Sequence, residues 1–245
     1  MNRWATGALG ACAVVAALAA WAISGPRHEP SPRPQAERPP LALLTSLPLI
    51  FGESFGLENG GSAALSSLDE RYRVQPIGVA DAASLKSMRL LLMAHPRAQP
   101  AEALVDLDAW VRGGGRLLLL ADPKLDWPSE RPMGDRLRPP PAFADTGLLA
   151  HWGLRLNAPE QSGPARLGGG HNPIIYFSAG RLASTNPDCA LSRANIVAEC
   201  TIGKGRVTVV ADADFLNTDE LKRYGGIPKN QTSELLELLG ALESR

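Results

Sequence analysis

The stretch "AEALVDLDAWVRGGGRLLLLADP", residues 101 to 123, places a helix, a glycine-rich turn and a buried strand in direct succession. Pro100 stands at the helix start, and Leu104, Leu107 and Val111 recur at the spacing that puts them on one helix face. The three glycines are typical of a helix C-terminus. Because four consecutive leucines follow, the predicted strand is apolar on both sides, which is typical of a parallel sheet covered on both faces.

The same alternation of helix and apolar strand continues on either side of this stretch. Apolar runs predict further buried strands at residues 41–47, 88–96 and 205–214. Helical spacing predicts helices at residues 62–70 and 230–245. We therefore predict an α/β fold of three layers, in which a mostly parallel sheet lies between helices on both faces.

Residues 1–25 form a candidate signal anchor, separate from the folded domain. An uncharged apolar run from about residue 5 to about residue 23 is long enough to span a bilayer, and Arg3 before it favours a cytoplasmic N-terminus. An uncleaved transmembrane anchor and a cleaved signal peptide both remain open. Either interpretation exports the rest of the chain, and we predict a single-pass inner-membrane protein whose domain faces the periplasm.

Residues 26–40 contain six prolines and predict an extended, semi-stiff tether. The remaining residues, 41–245, are predicted to form a single exported α/β domain. Lys and Arg together number 25, as do Asp and Glu, so the net charge does not favour a nucleic-acid partner. The "GGGH" at residues 168–171 lacks the lysine and the strand-to-helix setting of a phosphate-binding loop, and no cofactor is predicted.

Residues 156–202 carry short strand signals separated by Gly, Pro and Asn, which predict an antiparallel extension of the sheet. Cys189 and Cys200 lie in this region. A pair of cysteines in an exported domain favours a disulfide, with two free buried thiols as the alternative. A metal site would need further ligands at short spacing, which the sequence does not provide, so no metal is predicted.

Polar side chains stand at or just beyond the ends of four predicted strands. Ligands of parallel α/β sheets bind at the carboxyl ends of the strands, so these side chains are candidate ligand-binding residues. They are Thr45, Ser46, His95, Asp122, Asp212 and Asp214.

Each of these residues also has a purely structural interpretation. Asp122 precedes a proline and can form an Asx turn, Asp214 can cap the following helix, and a histidine before a proline is a common turn residue. A metal-assisted hydrolase could use His95, Asp122 and Asp212 as ligands, although their spacing does not specify a metal site. We assign no catalytic residue, because no serine or cysteine lies in a recognisable nucleophile motif.

The segment from residue 122 to 145 shows neither helical nor strand periodicity and is unusually long for a loop. It contains Trp127, Met133 and several arginines. Two interpretations remain open: an ordered lid over the strand edge, or a surface on which a protein partner docks.

Four quoted pieces, "AEALVDLDAWVRGGGRLLLLADP", "LLAHWGLRL", "GRVTVVADADFLN" and "NQTSELLELLGAL", resemble in order and spacing the exported domain of gliding-motility-type auxiliary components of ABC transporters (GldG-like). The resemblance covers about residues 41–243 and matches Asn230 to the asparagine that opens the last helix. It implies a fold similar to class I glutamine amidotransferases. The catalytic cysteine of those enzymes has no counterpart at a strand-to-helix turn here, so their activity is not implied.

From the residues and the resemblance together we predict a non-catalytic, membrane-anchored binding or scaffolding domain. Its expected partners are the inner membrane, through the N-terminal segment, and an ABC-transporter permease or ATPase or another envelope protein. The alternative is a metal-assisted hydrolase acting on an envelope glycan or a small substrate.

Overall fold

The computed structural model describes residues 31–51, 61–167 and 173–244. Its helices are α1 (Ala63–Asp69), α2 (Ala82–Leu85), α3 (Ala101–Arg112), α4 (Leu148–His151), α5 (Thr218–Lys222) and α6 (Pro228–Ser244). Its strands are β1 (Pro40–Thr45), β2 (Arg73–Pro76), β3 (Leu90–Ala94), β4 (Arg116–Leu120), β5 (Leu154–Asn157), β6 (Pro164–Leu167), β7 (Ile174–Phe177), β8 (Arg181–Ser184), β9 (Cys189–Ser192), β10 (Val197–Ile202) and β11 (Gly205–Val210).

The main sheet contains seven of these strands in the order β2-β1-β3-β4-β11-β10-β9. The first five run parallel, and β10 and β9 continue the sheet in antiparallel fashion. The prediction of a mostly parallel sheet is therefore confirmed. The Pro76-containing strand β2 lies at an edge, where a missing backbone donor costs little.

Apolar side chains cover both faces of the central strands, so helices pack on both sides. In β4, Leu118 and Leu120 belong to the core beneath α1 and α6, while Leu117 and Leu119 face α3 and α4. Each fully buried leucine of this kind contributes about 1.5 to 3 kcal/mol of hydrophobic free energy. Gly205 at the start of β11 lets α3 approach, because a Cβ there would lie 1.9 Å from the carbonyl oxygen of Val111.

Local sequence signals explain where the helices begin. Ser62 accepts a hydrogen bond from the amide of Leu65 at the start of α1, and Asp81 accepts one from Ser84 at the start of α2. The cap of α5 is Asn217, which accepts from the amide of Glu220, and not Asp214 as one sequence interpretation proposed. Helix α6 begins at Pro228, two residues before the asparagine that the resemblance places at its start.

Only some strands of the region predicted as an antiparallel extension belong to the main sheet. Strands β9 and β10 extend that sheet, whereas β5 pairs with β8 and β6 with β7 in two separate antiparallel ribbons. Each of these four strands has only four residues, and each pairs with one partner strand in its own ribbon. The structure joins Cys189 and Cys200, which face each other across β9 and β10, by a disulfide, as predicted.

The described end of the proline-rich segment lies against the domain where the parallel strands begin. Arg33 donates two hydrogen bonds of 3.0 and 2.8 Å to the Glu243 carboxylate, and its guanidinium lies 5.4 Å from the centre of the Tyr72 ring. Within the described residues no helix has the length and apolar character needed to cross a membrane. The predicted anchor, residues 1–25, lies outside the described residues.

Candidate functional site

The carboxyl ends of the central parallel strands lie level with one another. Thr45 of β1 pairs with Ala94 of β3, Ala94 pairs with Leu120 of β4, and Leu120 pairs with Val210 of β11. The predicted polar residues at these ends therefore reach the same edge of the sheet. They form two groups with different partners.

The first group consists of Thr45, Ser46 and His95, at the ends of β1 and β3. The Thr45 hydroxyl donates to the carbonyl of Ala94 at 2.9 Å, and the Ser46 hydroxyl donates to the carbonyl of His95. Both hydroxyls thus hold two adjacent strand ends together. Neither hydroxyl has a basic side chain as its hydrogen-bond partner in the described part of the chain.

His95 is completely buried and has a positive φ of 46°, which costs a non-glycine residue about 1 to 3 kcal/mol. Its Nε2 lies 2.9 Å from the carbonyl oxygen of Pro140, so Nε2 carries the proton and donates. Nδ1 has no hydrogen-bond partner among the described residues. Burial lowers the pKa of His95, which keeps the ring neutral.

The second group consists of Asp122, Asp212 and Asp214, which follow β4 and β11. Asp212 is completely buried, and its two carboxylate oxygens accept from the amides of Phe177 at 2.6 Å and Phe215 at 2.9 Å. Asp212 therefore connects the end of β11 to the end of β7.

Asp122 is also completely buried. One carboxylate oxygen accepts from the amide of Lys124 at 2.9 Å, which forms the Asx turn that the sequence allows. The other accepts from the amide of Ala213 at 2.8 Å, so Asp122 joins the ends of the neighbouring strands β4 and β11. The backbone carbonyl of Asp122 accepts from the amide of Phe143, which returns the end of the long loop to β4.

Asp214 is 3% exposed and accepts from the amide of Asp126 at 2.7 Å. The Asp126 carboxylate accepts in turn from the hydroxyl of Ser178 at 2.5 Å and lies 3.6 Å from the ammonium of Lys124. This chain of contacts holds the first residues of the long loop against β7. Sequence reasoning did not single out Asp126 or Ser178, because their contact joins residues that lie far apart in the chain.

The pKa of all three carboxyl groups is raised, chiefly because burial disfavours the ionised form. The pKa of Asp122 rises to about 6 and that of Asp214 to about 8. The negative charges of Asp122 and Asp214 raise the pKa of Asp212 further, while the amides of Phe215 and Phe177 act in the opposite direction. The group therefore holds at least one proton near neutral pH.

Residues 122–145 form an ordered cover over this edge. Leu125 and Trp127 pack against the core on the α1 and α6 side, whereas Phe143 packs on the α3 side, so the loop straddles the strand ends. Arg97 donates to the backbone carbonyls of Arg136 and Arg138, which fixes the middle of the loop. The loop leaves Met133 and Leu137 with 74% and 63% of their surface exposed.

A further polar network near this edge was not predicted. The carboxylate of Glu234 in α6 is completely buried and contacts the guanidinium of Arg193 and the hydroxyl of Tyr176. Arg193, Ala194 and Asn195 all have positive φ, between 52° and 64°. Such a turn and such a long-range ion pair leave no periodic signal in the sequence.

The arrangement is therefore built to bind backbone amides. Within residues 31–51, 61–167 and 173–244, no group of three or more His, Cys, Asp and Glu side chains is placed to hold a metal ion. The carboxylates at the strand ends instead serve as hydrogen-bond acceptors that fasten the loop, β7 and the turn after β11 to the sheet.

Several solved structures resemble this one at low sequence identity. The exo-beta-1,4-mannosidase Op5Man5 from Opitutaceae bacterium strain TAV5 is 13% identical with a TM-score of 0.48, over 86% of this chain and 36% of the mannosidase. Cytoplasmic Protein STM1381 from Salmonella typhimurium LT2 is 10% identical with a TM-score of 0.46, over 82% of this chain and 99% of that protein. A putative ThuA-like protein from Bacteroides uniformis ATCC 8492 is 9% identical with a TM-score of 0.42, over 88% of this chain and 93% of that protein. None of these similarities carries an argument about activity.

No curated protein matches the chain. One family model, described as an ABC-type uncharacterized transport system, matches residues 38–161, which is just over half of the chain. The matched segment runs from the approach to β1 to the residues after β5 and includes the long loop over the strand edge. The chain therefore belongs to this family of auxiliary components of ABC-type transport systems.

Proposed function

We propose that the chain is a non-catalytic binding or scaffolding domain of an ABC-type transport system, and that it recognises a protein partner at the carboxyl edge of its sheet. The observation that carries the proposal is the ordered loop of residues 122–145, which presents Met133 and Leu137 to solvent while Arg97 holds its backbone. A pre-ordered apolar surface loses little conformational entropy on binding. Methionine and arginine are enriched at protein interfaces.

The six candidate residues take a supporting role in this proposal. Asp122, Asp212 and Asp214 accept hydrogen bonds from the amides that position the loop and its neighbours. In Asp122 and Asp212 both carboxylate oxygens already accept from amides, so these two side chains are poorly suited to bind a further ligand. Thr45, Ser46 and His95 fix the other half of the edge. Partner recognition would then involve the loop surface, with these side chains beneath it.

The proposal includes the predicted membrane attachment. Residues 1–25 would form a single-pass inner-membrane anchor, residues 26–40 a tether, and residues 41–245 one periplasm-facing domain. A cleaved signal peptide remains the alternative for the first segment. The finer architecture proposed for the domain is that of class I glutamine amidotransferases, supported by the parallel sheet with helices on both faces.

Co-purification of the transporter subunits tests the proposal. The full chain would be isolated in mild detergent from its own cells, and the bound ABC permease and ATPase subunits quantified by mass spectrometry. The double variant Met133→Ser/Leu137→Ser should lose them, whereas Val105→Ser on α3, which changes a side chain that is 69% exposed, should keep them. If the unaltered chain, the double variant and Val105→Ser all recover the same amount of permease and ATPase, recognition through the loop is refuted. Metal analysis of the same preparation tests the hydrolase alternative, which requires a bound divalent ion.

A further inference from the structure

A groove of about 590 Å³ lies at the opposite end of the sheet, between α2 and α3 where β3 and β4 begin. We call it the Trp110 groove. Its lining includes Lys86, Met88, Arg89, Trp110 and the glycine turn 113–115. None of these residues contributes to the strand edge described above.

The groove has a fixed aromatic wall. The indole nitrogen of Trp110 donates to the carbonyl of Met88 at 3.0 Å, which sets the orientation of the ring. The ring packs directly on the backbone of Gly115, where a Cβ would lie 2.4 Å from the indole. The glycine turn therefore allows the tryptophan to line the cavity. Tryptophan is enriched at membrane–water interfaces, where an apolar ring meets polar headgroups.

Positive charge dominates the mouth of the groove. Lys86 and Arg89 are both exposed, while the one acidic side chain in the lining, Asp106, accepts from the amide of Ala82 at 2.9 Å. Lys86 follows α2 directly, so part of its charge offsets the negative end of that helix. Arg89 lies three residues farther along and directly precedes β3.

The N-terminal segment enters the domain at this same end. Arg116, the first residue of β4, donates to the carbonyls of Leu242 and Glu243 at the end of α6, and Arg33 binds the Glu243 carboxylate. Only residues 26–32 separate Arg33 from residues 1–25, which we propose as the anchor. Seven residues span at most about 25 Å. This inference rests on that proposed anchoring, which would turn the Trp110 groove towards the membrane.

We propose that the Trp110 groove binds the phosphate headgroup of an anionic lipid in the membrane that carries the anchor. Lys86 and Arg89 supply the positive charge, and Trp110 supplies a ring that sits at headgroup depth. The glycine amides take no part, because they already donate to the last carbonyls of α3. Headgroup binding would orient the domain with the loop of residues 122–145 away from the membrane, accessible to a partner.

Chemical footprinting of lysines tests the inference on the full chain, which contains only five lysines: Lys86, Lys124, Lys204, Lys222 and Lys229. The chain would be reconstituted in phosphatidylcholine vesicles with or without phosphatidylglycerol, and acetylation rates measured by mass spectrometry. A third sample would contain phosphatidylcholine vesicles and inorganic phosphate. The attraction between one lysine or arginine and an anionic surface changes a binding equilibrium by about five-fold. We therefore expect phosphatidylglycerol to slow acetylation of Lys86 by about five-fold, with Lys222 unchanged.

Two variants sharpen the comparison. Arg89→Gln should abolish most of the protection of Lys86, whereas Arg136→Gln, an equal charge change on the exposed loop, should leave it intact.

Flotation of the vesicles after an alkaline wash reports the anchoring separately. A chain that does not float refutes the anchoring and the groove orientation with it. A chain that floats, but whose Lys86 shows no dependence on phosphatidylglycerol, refutes the headgroup site alone. Equal protection by inorganic phosphate refutes the lipid as its source.

Discussion

Replacing Asp214 by asparagine should make the free energy of unfolding less dependent on pH. The pKa of Asp214 is raised from 3.8 to about 8, because the side chain is buried and lies near the negative charge of Asp122. Asparagine has nearly the same shape, and its side-chain oxygen can still accept from the amide of Asp126. The variant therefore removes the ionisation while it keeps the contact that holds the loop.

The direction of the effect follows from proton binding. Between pH values near 4 and near 8, the folded chain holds a proton on Asp214 that the unfolded chain releases, so stability is greatest below the lower pKa and falls as the pH rises through the upper one. Each pH unit in this window lowers the free energy of unfolding by about 1.4 kcal/mol. From about pH 5 to about pH 7 the loss from Asp214 alone is about 3 kcal/mol. Because Asp214 also raises the pKa of Asp212, the variant should lose part of that second dependence as well.

Urea unfolding at several pH values, followed by tryptophan fluorescence, measures this slope. The slope of the free energy of unfolding against pH should be less steep for Asp214→Asn than for the unaltered chain, by about 1.4 kcal/mol per pH unit. The control Asp188→Asn changes an exposed aspartate at the start of β9 and should leave the slope as it is. An Asp214→Asn chain with the full slope would show that Asp214 is ionised in the folded state, and the account of the strand edge would be wrong.

Further variants test three stabilising contacts by urea unfolding. Changing Cys189 and Cys200 to serine should cost about 2 to 4 kcal/mol, and the unaltered chain under reducing conditions should show the same loss. Arg193→Ala should cost about 3 to 5 kcal/mol, because it removes the guanidinium that contacts the buried Glu234 carboxylate, and adding Glu234→Gln should recover part of that loss. Arg33→Ala should cost no more than about 1 kcal/mol, since the ion pair with Glu243 is partly solvated, but it should speed tryptic cleavage after Arg38.

The central part of the fold could be predicted because its signal is local. The leucine runs of β3 and β4 are typical of strands in a sheet covered on both faces, and their polar end residues mark one edge. The position of β11 beside β4 could not be deduced in the same way, because about eighty residues separate the two strands. The ribbons β5–β8 and β6–β7 were assigned to the main sheet for the same reason: a four-residue strand carries no information about which neighbour it will choose.

The candidate site shows a different limit. The sequence correctly suggested that Asp122, Asp212 and Asp214 approach one edge, since strand register alone brings them there. It could not indicate what lies above them. Trp127 and Phe143 pack on opposite faces of the sheet, and Ser178 donates to Asp126. These contacts are formed only when the loop has closed over the sheet.

Acidic residues at the strand ends have a structural role here because the loop of residues 122–145 covers the place where the chain leaves the sheet. Amides at such a bend have lost their partners in the sheet and are shielded from water, and an unpaired buried amide costs several kcal/mol. The carboxylates of Asp122, Asp212 and Asp214 accept from five of these amides, those of Lys124, Asp126, Phe177, Ala213 and Phe215. Desolvation raises the pKa of each acid, so the same burial that suggests a reactive carboxylate also accompanies a purely structural one. Occupancy of both carboxylate oxygens by amides favours the structural role for Asp122 and Asp212, and Asp214 shares in it through the amide of Asp126.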